Sequence, residues 1–225
     1  MSAEKQISLE EFLDEKSDYS HLLVHLTRSD EFMPASEVLS CILNECTLRA
    51  YNPFCVWIES LNKSPNSSLR KLFNVVCFTE TPIDQIRVLL EQLQGRKHQF
   101  EPYGLVFKKS YIREKGGNPV FYVTREIARP LHALFDKQET VVDVEECRLL
   151  ALTTLCEAGN DWHWEREWRV VGNLQFALDD IYCGLCPEDE IVDFEYGYEP
   201  VVFIDPRWSS GRVLNKLVAK LDIPF

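Results

Sequence analysis

The chain has 225 residues, 45% of them apolar, 27% charged and 12% aromatic, a balance that suits one globular domain with a sizeable core. Its formal net charge of −12, from 36 acidic against 24 basic side chains, opposes long-range attraction to nucleic acid because phosphates are repelled. No apolar run reaches the roughly 20 residues of a membrane-spanning helix, and residues 1–18 are too polar and acidic for a signal peptide, so a cytoplasmic protein with no membrane partner is expected.

Residues 1–18 read as an acidic N-terminal arm or short helix, and 19–225 as a single α+β domain, a mixed central sheet flanked by helices. "HLLVHLT" alternates as a strand, with Leu22, Val24 and Leu26 on one face and Leu23, His25 and Thr27 on the other. "PASEVLSCILNECTL" has helical spacing at Leu39, Ile42, Leu43 and Cys46, with Ser36 as the N-cap. "NKSPNSS" is a loop. "NVVCFTETPIDQIRVLLEQLQG" reads as strand, cap and helix, with Thr81 capping, Pro82 in the first helical position and Gly95 ending it. "YGLVFKKSYIREKGGNPVFYV" gives a strand, a short helix stopped at Gly116-Gly117, and a strand over Val120–Val123. Residues 125–159 are expected to be mainly helical with a break at Pro130. "EREWRVVG", "QFALDDIYCGLC" and "EPVVFID" read as strands, and "SSGRVLNKLVAKL" as the closing helix. "PEDEIVDFE" is expected as an exposed acidic loop and strand.

Several chemistries lack their usual signatures. There is no P-loop, no GxGxxG opening a helix, no HExxH and no nucleophile elbow. The eight cysteines lie largely within apolar runs, which suits reduced, buried thiols. "CGLC" at 183–186 supplies two ligands where structural zinc takes four, so no metal is expected. The basic run "KKSYIREK" reads as a solvated helix face, and Glu80 in "FTETP" as part of a polar turn.

The sharpest feature is "DWHWEREWRVVG". If it is a strand, Glu165, Glu167 and Arg169 share one face, with Trp164, Arg166, Trp168 and Val170 on the other. Two carboxylates roughly 7 Å apart repel unless a cation or ligand hydroxyl intervenes, and Arg169 relieves one of them. Two readings follow. In one, the tryptophans pack inward and the Glu, Glu, Arg face meets water. In the other, one carboxylate stabilises an oxocarbenium-like state at a ribose, as in glycoside hydrolysis, and the second orients or deprotonates an acceptor.

The order of "VHLTR", "CFTET" and "EREWR" resembles the ADP-ribosyltransferase superfamily, which carries a His or Arg on an early strand, a hydroxyl-bearing middle strand and a late Glu-x-Glu. The resemblance implies NAD as co-substrate, with His25 or Arg28 holding its ribose or phosphates and Thr79 supporting the nicotinamide side. Glu167 would be the catalytic carboxylate, Glu165 would address the acceptor, and Tyr103 or Tyr122 would stack on nicotinamide. The sequence departs from the superfamily in having neither a Ser-Thr-Ser triplet nor a full H-Y-E or R-S-E pattern. A second resemblance spans Tyr19 to Gly172: "YSHLLVHLTR", "VCFTETPIDQI", "YGLVFKKSYIREKGGNPVFYV" and "WEREWRVVG" look like the bacterial AbiGi-type abortive phage infection family. That family is described as antitoxins, so the resemblance implies phage defence and, as the alternative to catalysis, a protein partner such as a toxin or defence component.

Overall fold

The computed structural model describes residues 20–51, 55–64, 66–92, 100–156 and 163–220. The acidic arm and Gly95 lie outside these residues. Strands occur in chain order as β1 (Leu22–Leu26), β2 (Thr47–Leu48), β3 (Val75–Thr79), β4 (Gly104–Lys108), β5 (Asn118–Pro119), β6 (Phe121–Val123), β7 (Thr153–Leu155), β8 (Glu167–Val171), β9 (Leu174–Gln175), β10 (Ile181–Leu185) and β11 (Phe203–Ile204). Seven of them form one sheet in the order β11-β10-β4-β1-β3-β8-β5, antiparallel except for the β10–β11 pair. The architecture is α+β, with helices on both faces of this mixed sheet.

Alternation along the strands sorts the core by face. Leu23, Val76, Phe78, Leu105, Phe107, Trp168 and Val170 pack beneath Leu39 and Leu43 of the helix Ala35–Glu45 and Phe194 of the helix Ile191–Gly197. On the opposite face, Val24, Val106, Cys183 and Leu185 meet Ile86, Leu89 and Val213 from the helices Ile86–Gln92 and Ser210–Lys220. Farther along that same face Val75 packs on Trp57, Phe73, Phe135 and Leu150. Both faces are therefore apolar over most of their area, with Arg169 in the middle of β8 a buried charged exception.

Local rules account for several elements and misplace others. Gly116 takes φ +84, a left-handed turn that ends the helix Lys109–Glu114 as its position suggested. The helix Ala35–Glu45 begins after Pro34 and receives no side-chain cap, so Ser36 is inside it. Thr81 does not cap either. Pro82 precedes a 3-10 turn, Ile83–Gln85, and the hydroxyl of Thr81 instead meets that of Thr79. Asn66 turns the expected loop into the start of a helix, Ser67–Leu72, by accepting from the Leu69 amide.

The expected break at Pro130 is absent: the helix Arg125–Gln138 runs through it, and the segment after the helix Val144–Ala151 becomes β7. "PEDEIVDFE" forms a 3-10 turn, Glu188–Glu190, and a helix rather than a strand, because Ile191 and Phe194 fall on one side and bury. The two thiols of "CGLC" enter different core clusters, Cys183 on one side and Cys186 on the other. No described helix is long and apolar enough to cross a membrane.

Candidate functional site at the β3 and β8 strand ends

The end of β3 and the beginning of β8 bring "FTET" and "EREW" together. Thr79 and Glu167 are Cα partners in the antiparallel ladder, so their side chains share a face. Strand geometry starts only at Glu167. Glu165 closes a 3-10 turn, His163–Glu165, and Arg166 adopts φ +45, which breaks the alternation expected across the glutamate pair. The turn is pinned to β3 by two bonds: the Thr79 hydroxyl donates to the Glu165 carbonyl at 2.6 Å, and the Glu80 amide donates to the Arg166 carbonyl at 3.1 Å.

Tyr122 on β6 joins the same corner. The Glu167 amide donates to its hydroxyl at 3.0 Å. Burial pushes the Tyr122 phenol up to about 12, and the charges of Glu167 and Glu165 add to that shift. Both carboxylates thus act on one phenol. The ring of His163 lies 4.4 Å from the Tyr122 ring, and His163 Nδ1 is 3.0 Å from Cys156 Sγ.

The Glu, Glu, Arg face does not meet water as a simple alternating strand would have it. Arg169 is 2% exposed, and its Nε and Nη2 donate to the two Glu167 oxygens at 2.8 and 2.9 Å, while Nη1 donates to the Ala151 carbonyl at 3.0 Å. This bidentate fork fixes the carboxylate plane. Two of the roughly four lone-pair positions of a carboxylate remain for other donors, such as a ligand hydroxyl. Behind the pair, burial holds the Cys77 thiol well above its usual range, reinforced by the Glu167 charge.

The tryptophans separate too. Trp168 is buried, whereas Trp164 is 39% exposed on the turn. The Trp168 Nε1 donates to Glu80 Oε2 at 2.7 Å, and Glu80 Oε1 accepts from Lys109 Nζ at 2.5 Å. Lys109 is 3% exposed, so the first position of the helix in "KKSYIREK" is a buried ion-pair partner instead of a solvated lysine. Glu80 is correspondingly more than a turn residue: it ties the end of β3 to β8 and to the helix Lys109–Glu114.

The remaining expected ligands stand elsewhere. Val24 pairs with Thr79, so Val24, Thr79 and Glu167 point to one face and His25 to the other. His25 Nδ1 donates to the Cys77 carbonyl at 2.8 Å, which requires the Nδ1–H tautomer, and its ring lies 5.7 Å from that of Phe78. Burial lowers the imidazole from its ordinary value despite that bond. Thr27 shares the His25 face as its spacing predicted, and its buried hydroxyl has no hydrogen-bond partner among the described residues. Arg28 is half-buried just past the end of β1. The Tyr103 hydroxyl donates to Glu190 Oε1 at 2.5 Å, and its phenol is raised chiefly by burial.

Glu165, Glu167, Thr79 and Tyr122 are therefore assembled at one corner, and His25, Arg28 and Tyr103 are not brought to it. The periodicity of "EREWR" already placed Arg169 beside Glu167 but not the burial of the pair. Nothing in the spacing of Cys156 and His163 marked their contact. Among the described residues no three His, Cys, Asp or Glu side chains group as a metal site. Comparison with protein-family models, curated proteins and solved structures finds no match to this chain.

Proposed function

We propose that this chain is a phage-defence protein of the bacterial cytoplasm that transfers ADP-ribose from NAD to an acceptor at the Glu165–Glu167 corner. The observation that carries the reading is the pairing of Thr79 with Glu167, together with the Thr79 bond to the Glu165 carbonyl. Two motifs separated by 86 positions thereby form one polar corner.

In the reaction, the C–N bond between nicotinamide and ribose breaks, and nicotinamide leaves with the electron pair. Glu167, held in orientation by Arg169, accepts the ribose 2′-hydroxyl and stabilises the positive charge that develops on the sugar. The acceptor then forms a bond to the same carbon, and its proton passes to Glu165. Tyr122 supplies the aromatic surface beside the carboxylates, so of the two candidate tyrosines it replaces Tyr103 in this scheme. His25 and Arg28 hold no part of the ligand at this corner, and the reading rests on the other four residues.

One observation favours a second reading. The Glu167 carboxylate already has a buried partner in Arg169, as in a purely structural ion pair. On that reading the chain is a non-catalytic antitoxin or assembly partner that covers a toxin or defence component, with neither NAD nor nucleic acid as ligand. Nicotinamide release from NAD, measured chromatographically with purified protein, separates the two. Release by the native chain that falls at least about 100-fold in Glu167→Gln supports transfer chemistry. A folded native chain that releases none leaves the partner reading.

A further inference from the structure

We propose that the cleft at the junction of β1, β4 and the turn after β3 binds a small molecule carrying phosphate or diphosphate. The cleft encloses about 520 Å³, within the size range of small-molecule sites. Its walls come from three places: Ser20 to Leu22 at the start of β1, Pro82 to Asp84 after β3, and Lys108 to Ser110 with Arg113 beyond β4. Tyr182 closes it from β10.

The charges decide the ligand class. Lys109 is committed to Glu80, but Lys108 and Arg113 make no ion pair among the described residues. Lys108 is exposed. Arg113 lies on the Trp168 ring, 5.3 Å from its centroid, which holds the guanidinium in place and leaves its N–H edge for an oxyanion. The acidic residue in the lining, Asp84, accepts from the Ser210 hydroxyl at 3.1 Å. Two cations without carboxylate partners in one concave site are notable in a chain of net charge −12. The same overall charge disfavours a long polyanion, which would run over the acidic surface outside the cleft, and favours a compact one.

The placement gives the cleft a direction. Lys108 pairs with Leu22, Leu22 shares a face with Val24, and Val24 pairs with Thr79, itself opposite Glu167. Lys108 and Glu167 therefore point to the same face at the same end of the sheet, three strand spacings across and two residues along, roughly 16 Å apart. A phosphate held at Lys108 would leave the rest of the ligand free to extend along the turn at Thr79 to Asp84. The cleft stands on its own geometry, independent of NAD cleavage.

Calorimetric titration of the full chain with inorganic pyrophosphate at low ionic strength tests it. The native chain is expected to bind, with affinity falling as salt rises. Lys108→Glu, at an exposed position that leaves the fold intact, is expected to weaken binding at least 10-fold. Arg113→Gln is expected to weaken it similarly, with thermal unfolding measured alongside to exclude a folding defect. Adenosine, which lacks phosphate, is expected not to compete. Absence of pyrophosphate binding at millimolar concentration, undiminished binding by Lys108→Glu, or competition by adenosine would each overturn the proposal. Because the readout is pyrophosphate binding, a chain that never cleaves NAD still passes or fails it.

Discussion

Thr79 and Glu167 face each other across β3 and β8, yet the Thr79 hydroxyl passes the Glu167 side chain and donates to the carbonyl of Glu165 at 2.6 Å. One hydroxyl on a middle strand thus sets the position of the turn that holds Glu165 and leads into Glu167. It also accepts from the Thr81 amide at 3.1 Å and contacts the Thr81 hydroxyl at 2.8 Å.

Thr79→Val keeps the shape of the side chain and removes these bonds. A loss of about 1–3 kcal/mol in urea unfolding is expected, since the partners are left partly buried and unpaired. Amide exchange of Arg166, in the pinned turn, should quicken in the same variant. Unchanged exchange would show that the turn is held by the rest of β8.

Arg169→Met leaves Glu167 beside a sealed apolar wall without its cation. The expected cost is about 3–5 kcal/mol, the range for removing one partner of a buried pair. Adding Glu167→Gln to Arg169→Met should recover part of that loss, because the uncompensated charge disappears with it. A double-mutant cycle measures the coupling.

Glu80→Ala removes the carboxylate that accepts from both Lys109 and Trp168. It should destabilise by a similar amount, about 3–5 kcal/mol. The pair formed by Glu45 and Arg49 is the contrast: with side chains 45% and 53% exposed, its removal by Glu45→Ala should cost less than about 1 kcal/mol in the same assay.

His25 makes stability depend on pH. Its folded-state pKa lies below the ordinary value of 6.5, chiefly through burial, so the unfolded chain binds a proton more readily than the folded one. This contribution is neutral above the unfolded value and turns destabilising as pH falls through about 6.5, until the folded imidazole also protonates. Urea midpoints should therefore fall more steeply for the native chain than for His25→Gln from about pH 7.5 to about pH 5.5, one unit either side of the ordinary imidazole value. Parallel slopes would assign the acid sensitivity to other groups.

Much of the fold was legible because it follows local rules. The alternation of "HLLVHLT" put Leu23 and His25 on one face and Val24 on the other, and the sheet keeps that division. Gly116 stopped its helix where a residue with positive φ was needed. The closing helix Ser210–Lys220 followed from its amphipathic spacing. Pro130 misled because it stands on an exposed side of the helix, where water can replace the lost backbone bond, while Ala128 and Phe135 hold the buried side.

The candidate site was legible only in part. Sequence alone determined the candidates: Glu165, Glu167 and Thr79 are the polar exceptions within or beside apolar strands, and periodicity marked Arg169 as a neighbour of Glu167. Tertiary structure decided where those residues stand and what they touch. Arg166 at positive φ takes Glu165 off the strand, Tyr122 rather than Tyr103 reaches Glu167, and His25 turns to the opposite face. The reason is that face and period are properties of one segment, whereas register is a property of two. Which residue stands opposite Thr79, and which cation is sealed beneath it, is set by the long-range pairing of β3 with β8 and by the core packed on both faces of the sheet.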